Sequence, residues 1–180
     1  GAPAAVLAAA DAAAALLSSL ALPAEAPSAG GEALVPPEAL EAALAAAEAV
    51  RDTGLSVRML KLAVDLAGGG VEGVAPLLVG PGAVGAAVRC LQRMLPDATA
   101  APEEQQLRAE GSYVALWLLQ QQLLGGAPRA AAAADGGAEA VLAVLLRAPR
   151  DLDWFPATLR AADALQLLAV DREAGGRPPA

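Results

Sequence analysis

Val50-Arg51 closes one Leu/Ala-rich segment, Asp52-Thr53-Gly54 follow, and Val57-Arg58 lies in the next segment. The arrangement returns later, where Leu146-Arg147 ends a segment, Ala148-Pro149-Arg150-Asp151 follow, and Leu159-Arg160 sits in the segment beyond. So short a turn between two helix-length apolar segments leaves them to pack antiparallel, as a helical hairpin. Recurrence of the hairpin predicts stacked helical units rather than a single globular core.

Helix is also the state these residues favour. Ala supplies 50 and Leu 30 of the 180 residues, and both lose little on entering a helix. Aromatics at 2% leave few of the side chains that favour strands. The fold expected is therefore all-α, a short right-handed α-solenoid of stacked helical hairpins.

Pro and Gly cut the chain into helix lengths. Four parts are expected: an Ala-rich helix over 1–20, a Pro/Gly linker over 21–37, a helical-repeat domain over 38–170 and a tail over 171–180. Pro37 suits the first position of a helix that carries Glu38 and Glu41 at its start and Arg51 at its end, as the helix dipole favours. Leu40, Leu44, Ala47 and Val50 share one face of it. Gly54 is expected to break the chain before a helix with Val57, Leu60, Val64 and Ala67 on one stripe and Arg58, Lys61 and Asp65 on a narrow polar strip. A short apolar piece follows around Val74 to Val79, then a helix with Val84, Val88, Leu91 and Leu95. A longer helix is expected from Pro102 to Leu124, with Gly111 as a candidate break. Residues 125–137 read as a helical turn or loop, and helices over 138–147 and about 154–170 complete the domain.

The segment Pro3 to Leu22 is apolar, but Asp11 within it would cost about 2.5 to 3.5 kcal/mol at the centre of a bilayer. No Lys or Arg precedes Arg51, so the basic flank of a targeting segment is missing. A buried or partner-packed helix is the expectation, and a membrane role is disfavoured. The start at Gly1 fits a processed product or a piece of a longer polypeptide. The setting expected is intracellular, cytoplasmic or organellar.

The segment Gly73-Val74-Ala75-Pro76-Leu77-Leu78, followed after Gly80-Pro81-Gly82 by Ala86-Ala87-Val88-Arg89-Cys90-Leu91, resembles armadillo and HEAT repeats. Gly137 to Leu146 together with Leu159 to Leu165 resembles them again. The likeness spans about residues 38 to 170. It implies a helix lying behind a second helix that lines a concave, partner-holding surface. The Asn that armadillo repeats often place on the binding helix has no counterpart, because the chain contains none. Pro156, Leu159, Ala164, Leu165 and Leu168, with Pro178 and Pro179, also look like one octotricopeptide-type repeat. That likeness implies an RNA-binding helical-repeat protein of an organelle as the alternative.

Charge works against nucleic acid, since the net charge is −8 and the cations that would follow a phosphate path are few. Catalytic chemistry is scarce too. His is absent, which removes the commonest general base and metal ligand, and Cys90 is the single cysteine, placed in an apolar run as a buried structural thiol would be. The glycines at 68 to 73 lack the Lys-Ser/Thr of a phosphate loop, and Glu103 and Glu104 are adjacent, so they diverge by about 100° on a helix. No catalytic, cofactor or metal residue is expected.

Six residues stand out for partner binding. Arg58, Arg89, Arg108 and Arg160 recur near helix entries. They either reach acids such as Asp65, Glu104 or Asp163 or form a ladder for an acidic partner segment. Trp154-Phe155 sits at a loop-helix junction, where core packing and a contact hot spot are both open; Trp117 favours the core. The function expected is a non-catalytic helical-repeat scaffold for protein-protein interaction, a structural subunit of a larger assembly.

Overall fold

The computed structural model describes residues 38–68 and 74–169, which are all-α, with no strand among the described residues. The expected helix over 1–20, linker over 21–37 and tail over 171–180 lie outside the described residues. The helices are α1 (Glu38–Ala49), α2 (Thr53–Gly68), α3 (Val74–Leu78), α4 (Pro81–Arg93), α5 (Pro102–Leu124), α6 (Arg129–Ala134), α7 (Gly137–Arg147) and α8 (Phe155–Ala169).

Local chemistry sets most of the boundaries. Pro81 and Pro102 open α4 and α5 at positions whose N–H has no helical partner, and Glu103 and Glu104 sit in the first turn of α5. Gly54, expected as a break, lies in the opening turn of α2 instead. Asp52 Oδ1 accepts the Leu55 N–H at 2.7 Å, an N-cap that starts the helix ahead of the glycine. Helix α5 ends as the sequence predicts, in a Schellman motif. The Ala127 N–H donates to Gln122 O at 2.9 Å and the Gly126 N–H to Leu123 O at 3.3 Å. Gly126 takes φ 96° between them, a left-handed conformation that glycine adopts without a Cβ penalty.

Gly111 does not break α5. It is buried, and a Cβ there would lie 2.9 Å from Met94 Sδ and 3.0 Å from Val57 Cγ2. A small residue here lets α5 approach α2 and the end of α4, and that packing offsets the cost of about 1 kcal/mol for glycine in a helix.

Packing between helices follows a regular scheme. Consecutive helices α1 and α2, α4 and α5, and α7 and α8 pack on one another. Helix α4 also lies between α1 and α7, and α5 lies between α2 and α8. Two rows of three result, with the short α3 and α6 in the connections. Burial agrees with this placement, because Val84, Ala87, Val88, Cys90 and Leu91 of α4 and Ala115, Leu116, Leu118 and Leu119 of α5 are enclosed at the middle. Helices flanked on several sides bury most of their circumference.

Candidate interaction surface

The last hairpin begins at Gly136, which holds φ 76° as the N-cap of α7, and its carbonyl accepts the Ala140 N–H at 3.0 Å. On α7 the side chains of Ala140, Val141 and Val144 face inward. Leu142 is left 39% exposed and Leu146 81% exposed. In the turn that follows, Asp151 Oδ1 accepts the Trp154 N–H at 3.0 Å, and Trp154 O accepts the Thr158 N–H at 2.9 Å. The Asp151 bond closes the turn that leads into α8, and the Thr158 bond is the first of the helix itself.

Trp154 and Phe155, alike in type and adjacent in sequence, are sent to opposite sides. Trp154 is 1% exposed and belongs to the core, while Phe155 is 62% exposed. Trp154 therefore has no indole surface open to a partner, which corrects its reading as a contact residue. Phe155 faces outward, together with Leu159 at 56% and Leu152 at 89% exposed.

The inward stripe of α8 is made of Ala157, Ala161 and Ala164. Small side chains let α8 lie close against α5; at the start of the helix the bulky Phe155 and Leu159 are left outside, while Leu165 and Leu168 further along pack against the core. Leu142, Leu146, Leu152, Phe155 and Leu159 make up most of the large apolar side chains exposed among the described residues; Leu55 and Leu124 are the others. They all belong to one hairpin at one end of the two rows. An open cavity of about 540 Å³ among them is lined by Leu145, Leu146, Ala148, Leu152, Phe155 and Thr158, with Pro149, Arg150 and Asp151. Exposed apolar patches of this kind mark contact sites more often than bare surface.

The arginines singled out in the sequence divide between the rows. Arg89 is on α4, while Arg58, Arg108 and Arg160 are on α2, α5 and α8. Arg89 joins two distant segments, with its Nε 2.7 Å from Glu48 Oε1 and its Nη1 3.2 Å from Asp135 Oδ2. The hydrogen bond to Glu48 holds its guanidinium pKa above the ordinary value against the opposing effect of burial. Arg108 Nε donates to Glu104 Oε1 at 2.9 Å, the acid expected for it, and its Nη1 donates to Leu95 O at 3.1 Å. Arg160 Nη1 donates to Gln120 Oε1 at 2.7 Å, and the guanidinium lies 5.6 Å from the Tyr113 ring centre. Arg58 is exposed on α2. Three of the four thus tie helices together.

Sequence reasoning did not find Arg93. Its guanidinium in α4 donates to Ala47 O at 3.0 Å, to Glu48 O at 2.5 Å and to Val50 O. Nor did it find Lys61 paired with Glu110 across α2 and α5. Partners more than 40 residues away leave no local spacing to read.

The serine hydroxyls of Ser56 and Ser112 donate to Ala47 O at 2.6 Å and Met94 O at 2.8 Å. Cys90 is enclosed, and burial pushes its thiol up to about 12. Among the described residues no group of His, Cys, Asp or Glu is placed to hold a metal ion. No helix among them is long and apolar enough to cross a membrane. No protein-family model, curated protein or solved structure matches this chain.

Proposed function

We propose that the chain is a short right-handed α-solenoid of armadillo/HEAT-like hairpins, acting as a non-catalytic protein-protein scaffold and structural subunit of a larger assembly. The pairing of α1 with α2, α4 with α5 and α7 with α8, in two rows, supports the repeat reading. The observation that carries the functional reading is the uncovered apolar face of the last hairpin, with Leu146 and Leu152 more than 80% exposed. An apolar face left this exposed favours a covering protein surface.

An RNA-binding role would need cations free to follow a phosphate path, and Arg89, Arg108 and Arg160 are engaged with protein groups. The scaffold reading is tested by size fractionation of a native extract from the source cell. The chain should travel in a particle larger than itself, and the double variant Leu146→Asp/Phe155→Asp should travel free. A wild-type chain that fractionates alone would remove the assembly reading.

A further inference from the structure

The α7–α8 face has a character of its own that points to what covers it. We propose that a second copy of this chain docks there, the two copies related by a twofold axis passing through their last hairpins. The inference rests on the reading of this face as an interface, and it names the partner.

The first argument is where the exposed apolar residues are. Leu142, Leu146, Leu152, Phe155 and Leu159 all lie on the last hairpin. On α1 and α2 the described residues expose one large apolar side chain, Leu55. A twofold contact sets the apolar face against its own equal, and it closes after two copies.

Charge gives the second argument. The rim of the face carries both signs, with Arg147 and Arg150 exposed beside Glu139, Asp151 and Asp153. Twofold pairing lets the arginines of one copy meet the carboxylates of the other. The rim is close to neutral although the whole chain carries −8.

Shape gives the third. Leu152 is the most exposed of these side chains, and the open cavity of about 540 Å³ lies on the same face. Leu152 lines that cavity, so each copy offers a concave apolar surface that the exposed side chains of the other can fill.

Sedimentation equilibrium of the purified full chain tests this. The expected mass is twice the 17.7 kDa of the chain. Leu146→Asp/Leu152→Asp should weaken association on the order of 100-fold while the helical circular dichroism is kept. Because Cys90 is the only cysteine and is buried, a Leu152→Cys variant adds a single accessible thiol near the axis. Mild oxidation should join it into a covalent dimer. A single-copy mass at the highest soluble concentration overturns the proposal. So does a dimer that survives the double Asp variant, or a Leu152→Cys chain that stays uncrosslinked. A single-copy mass for the pure chain, combined with a large particle in the source extract, removes the second copy and leaves the interface reading standing. A free chain in both experiments removes both.

Discussion

The guanidinium of Arg93 donates to the carbonyl oxygen of Glu48 at 2.5 Å, closing the C-terminus of α1 from α4. Bonds to Ala47 O and Val50 O complete the closure. The last carbonyls of a helix have no partner within it, and they lie at the negative end of its dipole. A cation borrowed from the neighbouring helix meets both needs. Arg93→Ala should destabilise the chain by about 1.5–3 kcal/mol, read as a lower urea midpoint with an unchanged slope. Arg93→Lys keeps the charge without the planar fork and should recover only part of the loss.

Gly111→Ala improves helix propensity yet should still destabilise. The added methyl meets Met94 and Val57 at 3.0 Å or closer, and both side chains are buried. Overpacking costs about 1–3 kcal/mol against a propensity gain of about 1 kcal/mol. Thermal unfolding should show a lower midpoint, and adding Gly111→Ala to a Met94→Ala chain, where the clash is gone, should cost less than adding it to wild type.

Trp154 and Phe155 make a matched pair for mutation. Trp154→Ala opens a cavity in the core and should cost about 3–5 kcal/mol. Phe155→Ala removes an exposed ring and should change the stability of the single chain by less than about 0.5 kcal/mol. Denaturant titrations of the two variants under conditions that keep the chain monomeric check the contrast.

Gln122 is wholly enclosed in α5, and neither its Nε2 nor its Oε1 has a hydrogen-bond partner. A buried polar group left unpaired costs about 1–3 kcal/mol. Gln122→Met keeps the length of the side chain and removes both atoms, so it should raise stability, measured as a higher urea midpoint.

Cys90 sets a pH dependence of known sign. Its thiol is pushed from 9.0 to about 12 by burial. Between those values the unfolded chain gives up a proton that the folded chain keeps, so stability falls as pH rises through that window. Below it the neutral thiol adds no pH dependence. The slope approaches about 1.4 kcal/mol per pH unit. Comparison of wild type with Cys90→Ala from pH 8 to 11 isolates it, the variant showing the shallower decline. At pH 8 the native thiol should resist a disulfide reagent that titrates it at once in denaturant.

Much of the helix layout was legible because punctuation is chemical. Pro102 and the Gly125-Gly126 pair bracket α5 at the ends the sequence predicts, since proline lacks the N–H a helix interior needs and Gly126 takes the left-handed turn. Inside the helices the signal fails where alanine replaces leucine as the buried residue. Phe155 and Leu159 are the large apolar residues in the first turns of α8, yet Ala157, Ala161 and Ala164 hold its fully buried positions. Size ranks hydrophobicity, whereas close helix approach selects smallness, and a Leu/Ala-rich chain offers both. Half of the Trp154-Phe155 pair faces outward, and which half depended on how the turn before α8 meets the core, which adjacent residues of like type do not reveal. The arginine partners were readable only at short range, as with Glu104 and Arg108 four residues apart.

Helices α1 and α2 share no extended contact with α7 and α8; both pairs meet α4 and α5 instead. The middle pair is therefore the joint through which the two ends sense each other. A load placed at Leu152 reaches Glu48 through α4 and α5 together, and the Arg89 bridge to Glu48 and Asp135 sits on the α4 side of that joint. Whatever one end of the described helices transmits to the other passes through this pair.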